Sequence, residues 1–318
     1  MNAPSTARPI ATLTLNPCLD VSYEFQSLIP DQKVRADHTR FDPGGNGLNI
    51  GRALKRLDVR AANCTLLAGE IGLLVKRLLA DKLENLKTVP LAGETRINCA
   101  ILERSPRVQY ELDGIGPEVG ARELADVSER FLQAASGGFG VLTGSLPAGV
   151  PDHIYGDLAA QLHGRGAQAV VDTRGAALNH ALAQHPFLIK PNRYELELHV
   201  GHDLPTLEAV VEAARRIQQA GVTYVCVSLG SDGAVLVGPE NAYQAASPKI
   251  DLRSTVGAGD SLVAGLVAAF ARGQTPAEAL RLGVCCGAGT AAQPGTELFD
   301  PATLDGLMAQ VDVKSLDT

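Results

Sequence analysis

The sequence predicts an α/β fold, a doubly wound and mostly parallel sheet flanked by helices, with a small β-sheet lid. Three observations predict it. Short apolar runs alternate with amphipathic helical patterns through most of the chain. Two more polar stretches, about 20–41 and 95–112, read as strands with no helix between them. Glycines concentrate where proposed strands end, which is where sheets of this kind place their ligands.

The apolar runs Ile10–Leu15, Cys64–Leu67, Val141–Thr143, Ala169–Val171, Phe187–Ile189, Tyr224–Ser228 and Ala234–Val237 are the expected strands. Leu48–Leu57, His153–Leu162 and Leu207–Ala220 carry helical patterning between them. The two polar stretches form the expected lid, and the whole is read as one domain over residues 1–318. With 318 residues and 45% hydrophobic composition, the chain can bury a large core.

Composition excludes several function classes. A net charge of −7 is poorly suited to nucleic acid or an anionic membrane, so an anionic ligand needs a local basic cluster or backbone amides. No run reaches the ~20 apolar residues of a membrane span, and MNAPSTARPIATLTL has no charged leader before an apolar run. The six cysteines include no C-x-x-C pair and lie mostly in apolar stretches, so they read as buried thiols. The expectation is a cytoplasmic protein.

Four glycine-rich loops carry the candidate chemistry: Phe41–Gly51, Leu142–Gly149, Ser228–Ala234 and Ser254–Gly265. In the last, Gly257 and Gly259 permit a tight turn, and a helix follows Asp260. A helix start offers free N–H groups to a developing anion, and a carboxylate there can take a hydroxyl proton, the two parts that phosphoryl transfer needs. The plainer alternative is that Asp260 caps the helix and the glycines turn the chain. Phe41–Gly51 fails the dinucleotide fingerprint, because Ile50 stands where the third glycine belongs, and no G-x-x-x-x-G-K-[ST] occurs. Its glycines instead allow close approach of backbone to a polyol, with Asn49 as donor and acceptor, or simply a tight turn before the helix.

Asn192 and Glu195 lie three apart where a helix begins, on one face; they either order magnesium or its waters, or form a capping box. Lys33–Arg40 is a basic island, and Arg96 lies in the second lid stretch; together they suit a phosphate monoester, although charge runs are usually solvated faces.

These segments in order, LTLNPCLD, PGGNGLNIGRAL, TRIN, LTGSLPAGV, KPNRYEL, VSLGSDGA and STVGAGDS, resemble the PfkB/ribokinase family of carbohydrate kinases over nearly the whole chain. The resemblance implies a ribokinase-like fold, with ATP and Mg²⁺ as cofactors. It makes Asp260 the base, with the backbone of Gly257, Ala258 and Gly259 as the anion hole. Asp20, Gly44, Gly45 and Asn49 would hold the sugar, with Ser145 helping to place it. Lys33, Arg35 and Arg96 would clamp its phosphate. Lys190, Asn192, Ser228, Gly230 and Gly233 would border the nucleotide, and Asn192 with Glu195 would order the metal through water. Lids of this family often pair, so a homodimer is expected. TLNPCLD and TRIN look like the branch acting on phosphorylated ketohexoses, with fructose 6-phosphate favoured; fructose 1-phosphate and tagatose 6-phosphate stay open, and relatives using these commonly show Lys where Asn46 stands. A sugar or nucleotide sensor without catalysis is the reading from another class. Two departures stand out: Ser254 replaces an Asp often found beside a monovalent cation, and Arg174 replaces a small residue.

Overall fold

The computed structural model describes residues 8–316; residues 1–7, part of the stretch read for a leader, lie outside them. In chain order the strands are β1 (Ile10–Thr14), β2 (Cys18–Phe25), β3 (His38–Gly44), β4 (Ala62–Ala68), β5 (Leu86–Leu91), β6 (Arg96–Arg104), β7 (Arg107–Leu112), β8 (Phe139–Thr143), β9 (Gln168–Asp172), β10 (Leu188–Ile189), β11 (Tyr224–Ser228), β12 (Ala234–Val237), β13 (Ala242–Ala245) and β14 (Val313–Leu316). The helices are α1 (Asn46–Arg56), α2 (Gly69–Leu79), α3 (Ala121–Ala135), α4 (Ile154–Gly164), α5 (Gly175–Leu182), α6 (Arg193–Val200), α7 (Leu207–Gln219), α8 (Ala258–Ala271), α9 (Pro276–Ala291) and α10 (Pro301–Met308).

Ten strands build the main sheet in the order β14-β13-β12-β11-β10-β9-β8-β1-β4-β5. From β11 to β5 the pairing is parallel, and β12, β13 and β14 extend the sheet antiparallel. Strands with helices on both faces should be apolar throughout, and β1, β4 and β8 are buried at every residue. Alternate residues feed two cores. Leu142 and Val171 face the side covered by α3, α4, α5, α6 and α7. Val141 and Val170 face the side covered by α1, α8, α9 and α10.

The expected lid is a separate four-stranded sheet, ordered β3-β2-β6-β7, whose central pair is parallel and whose outer pairs are antiparallel. Its alternation decides what it presents. Cys18, Asp20 and Ser22 of β2 face a cavity, while Leu19 and Val21 pack with Leu48, Val75 and Leu79 in a third apolar cluster.

The six cysteines are free thiols; five are buried and Cys99 is partly so. Among the described residues, no helix is long and apolar enough to cross a membrane.

Candidate active site

The chain reverses direction across the sheet between β1 and β8, which are neighbours although β1 leads to β4 on one side and β8 to β9 on the other. A crevice opens at the carboxyl ends of strands at such a switch point. Asn16, just past β1, donates from Nδ2 to Ser145 Oγ, just past β8, at 3.1 Å across the gap. A cavity of about 450 Å³ begins there and extends beneath the lid.

Two helices aim side chains into it. Gly45 takes φ +124°, open to glycine, and turns β3 into α1. Asn46 and Asn49 then share one face of α1 at spacing i, i+3. On the far side Gly257 takes φ +76° as the cap of α8, and Asp260 is the third residue of that helix. Asn46 Nδ2 donates to Asp260 Oδ1 and Asn49 Nδ2 to Oδ2, each at 2.9 Å.

Asp260 lines the cavity while only 5% exposed. Burial pushes its carboxyl up to about 6; the hydrogen bond from Asn49 pulls it back, the charge of Asp172 raises it, and Asn46 and Lys190 lower it. A base poised near the working pH suits proton abstraction. Behind Asn49, Arg52 Nη1 donates to Asn49 Oδ1 at 3.1 Å and so fixes which end of that amide faces the carboxylate. Arg52 is 2% exposed and its Nη2 has no hydrogen-bond partner among the described residues.

On the lid side, Arg96 donates to Asn16 O from Nε (3.3 Å) and Nη2 (3.1 Å), and to Asn98 Oδ1 at 3.2 Å. Asp20 Oδ1 accepts from Cys18 Sγ and Asn98 Nδ2, both at 3.2 Å. Burial raises the Asp20 carboxyl against those two hydrogen bonds. On the other side Lys190 Nζ stands 3.3 Å from Asp172 Oδ1, and both line the cavity. Burial lowers the Lys190 pKa, but the charges of Asp172 and Glu195 outweigh it and keep the ammonium protonated.

The cavity thus gathers Asp20, Gly45, Asn49, Arg96, Ser145, Lys190, Glu195, Gly257, Gly259 and Asp260. Other expected residues lie elsewhere. Gly44 backs Asp20, with no room for a Cβ beside the carboxylate. Ala258 is not in the lining, and its N–H faces Thr255 O at 3.3 Å. Lys33 and Arg35 are exposed on the connection between β2 and β3, outside the lining, because that polar segment follows the rim of the lid.

Ser228 and Asn192 pair through a backbone bridge outside the lining, and Gly230 and Gly233 bracket a short 3₁₀ turn after β11. Asn192 and Glu195 form a capping box: Asn192 Oδ1 accepts from Glu195 N, and Glu195 Oε2 from Asn192 N, both at 2.8 Å. Glu195 keeps its other oxygen and lines the cavity; the Asn192 oxygen serves the cap. Among the described residues no three His, Cys, Asp or Glu side chains cluster as a metal site.

Sequence reasoning passed over Asn16, Asn46 as a partner of Asp260, Asn98 and Asp172. Asn46 was findable, since it sits one helical turn before Asn49. Asp172 ends β9, and a carboxyl-end acid is itself a signal.

A carboxylate held in a crevice beside a helix start is the equipment of a transferase acting on a hydroxyl. The profile of the pfkB family carbohydrate kinases matches residues 12–303, and the chain belongs to that family. It is 36% identical over 309 residues to the 1-phosphofructokinase of Rhodobacter capsulatus, covering 96% of this chain and 98% of the relative. It is 34% identical over 291 residues to the ATP-dependent 6-phosphofructokinase isozyme 2 of Escherichia coli strain K12, covering 91% and 94%. The crystal structure of the Escherichia coli phosphofructokinase-2 in complex with substrates and products superposes with a TM-score of 0.88 at 33% identity, covering 95% of this chain and 98% of that one. The ribokinase-like fold and the carbohydrate kinase class expected from the sequence both hold.

Proposed function

We propose that the protein transfers the γ-phosphoryl of ATP to the C1 hydroxyl of fructose 6-phosphate, giving fructose 1,6-bisphosphate and ADP. The observation that carries this reading is the buried Asp260 carboxylate, facing the cavity with each oxygen held by an amide of α1. In that position the carboxylate takes the proton of the acceptor hydroxyl, and the freed oxygen attacks the γ-phosphorus in line. The first N–H groups of α8, at Gly257 and Gly259, meet the charge on the transferred phosphoryl.

The sugar lies toward Asp20, Asn49 and Ser145, with its phosphate toward Arg96. Lys33 and Arg35 join that clamp where the connection carrying them folds over a cavity, its own or that of a second copy. The nucleotide lies toward Lys190 and the β11 end, bordered by Asn192, Ser228, Gly230 and Gly233. The donor set fits Mg²⁺, which keeps several waters and needs few protein oxygens: Glu195 has an oxygen to spare on the cavity, and Asn192 holds Glu195 in place. Bound there, held by Glu195, magnesium would supply positive charge against the phosphates. Phosphoryl transfer inside a chain of net charge −7 with no membrane-crossing helix among its described residues fits the cytoplasm.

A second reading is favoured by the 36% identity to a 1-phosphofructokinase: fructose 1-phosphate phosphorylated at its C6 hydroxyl, which gives the same bisphosphate. A coupled ADP-release assay with fructose 6-phosphate, fructose 1-phosphate and tagatose 6-phosphate separates these. The largest kcat/KM is expected with fructose 6-phosphate, and a larger one with another sugar reassigns the substrate. Asp260→Asn should lower kcat by several orders of magnitude with little change in KM. Near wild-type turnover in that variant removes Asp260 as the base, and ATP binding without transfer to any sugar leaves a sensor.

A further inference from the structure

Six carboxylates line the cavity, on Asp20, Glu111, Asp113, Asp172, Glu195 and Asp260, against three cations, Arg96, Arg174 and Lys190. The proposed reaction brings two more anionic groups into the same space, so the state of each cation matters. Arg96 is engaged with Asn16 O and Asn98 Oδ1 and lies 3.9 Å from Asp113. Lys190 is paired with Asp172. Arg174 has neither a hydrogen bond nor an ion pair with any described residue, and it is exposed although it lines the cavity.

Its backbone, by contrast, is held. Thr173 Oγ1 donates to Gly144 O at 3.1 Å, tying the end of β9 to the end of β8. Arg174 is itself extended, with φ −136° and ψ 169°, and α5 begins at the next residue. The anchor is fixed, and the guanidinium lines the site with no hydrogen-bond or ion-pair partner among the described residues.

Sheet order says which anion it meets. β9 lies between β8 and β10, on the side that carries Lys190 and leads to β11. Arg96 belongs to β6 of the lid, across the β1–β8 crevice. The two cations therefore reach the cavity from different elements, Arg96 from the lid and Arg174 from the end of β9. We propose that Arg174 is a nucleotide-binding residue, its guanidinium taking the β- and γ-phosphate oxygens of ATP. The planar fork suits two phosphate oxygens at once, which a lysine ammonium matches only as a point charge. The assignment rests on the kinase reading above and adds a residue to its nucleotide side.

The test is calorimetric titration of wild type, Arg174→Ala and Arg174→Lys with the magnesium complex of adenylyl imidodiphosphate and, separately, with AMP. The alanine variant should bind the imidodiphosphate about tenfold more weakly, the lower end for a hydrogen bond to a charged group, and AMP within twofold of wild type. The lysine variant should recover part of the loss, and KM for the sugar phosphate should stay within twofold. Equal losses for both nucleotides, no loss for either, or a loss confined to the KM of the sugar phosphate overturns the assignment. Arg174 makes no side-chain hydrogen bond or ion pair among the described residues, so the melting temperature should be unchanged. If wild type binds the imidodiphosphate yet phosphorylates no ketohexose phosphate, the substrate reading fails while the nucleotide contrast still decides Arg174. If wild type binds neither nucleotide, both fail.

Discussion

Asp260 sets two requirements against each other. Its carboxyl is raised to about 6 chiefly by burial, so the folded state binds that proton more tightly than the unfolded chain does. The sign follows: this group favours folding when protonated, below about pH 4, and that contribution is lost as pH rises through about 6, where the proposed base becomes competent. Activity should therefore fall on the acid side with a limb near pH 6 in kcat/KM. Asn46 Nδ2 is one of two donors that favour the charged form. Asn46→Ala should raise that limb by roughly one pH unit, the worth of a hydrogen bond to a charged group, and lower kcat at pH 6 far more than at pH 8. A pH profile of kcat/KM checks this; an unmoved limb would mean that Asn46 only fills space.

At the scale of elements, α8 is placed by its packing on α9. A Cβ on Gly265 would lie 2.7 Å from Gly283 Cα and 2.8 Å from Gly283 N, so the two helices touch backbone to backbone. Gly265→Ala overpacks a contact that has no flexible side chain to yield, and should cost roughly 1–3 kcal/mol. Because α8 also carries Asp260, kcat should fall along with the denaturation midpoint, which urea unfolding and initial-rate kinetics together read. The apolar run after Asp260 made this helix legible, but not its partner: α9 has a weak amphipathic pattern because it is buried along most of its length. The capping box of α6 was likewise visible as Asn192 and Glu195 three apart, and local geometry explains why. Strands β13 (AYQA) and β14 (VKSL) escaped notice because each is short and mixes polar with apolar residues, unlike the equally short but wholly apolar β12, and β5 because Pro90 interrupts its pattern.

For the whole molecule, the lid is the unfinished part. Phe41, Ile97, Tyr110 and Leu112 of its strands are exposed, at 45–57%, which supports the expected pairing of two copies through this sheet. Sedimentation at micromolar concentration should give a dimer, and Ile97→Asp should shift it toward monomer; a wild-type monomer at every concentration tested would remove that expectation. The lid is also tied to the main body. Arg40 of β3 binds Asp42 and reaches Glu297, which also pairs with Arg56 of α1.

Alternating apolar runs, the glycine-rich turns and the acid after one of them were enough to determine a parallel α/β sheet, a lid and Asp260 at a helix start, because these are local patterns of period, turn and cap. Tertiary structure alone decided that Asn46 holds Asp260, that Asp172 occupies Lys190, that Lys33 and Arg35 lie outside the cavity lining, and that Arg174 is the lining cation with no partner among the described residues. The physical reason is distance along the chain. Asn46 and Asp260 are separated by 214 residues and meet because α1 and α8 pack together on one face of the sheet, with both helix starts at the crevice. Pairing of charges across that crevice is a property of the folded arrangement, and no spacing in the sequence encodes it.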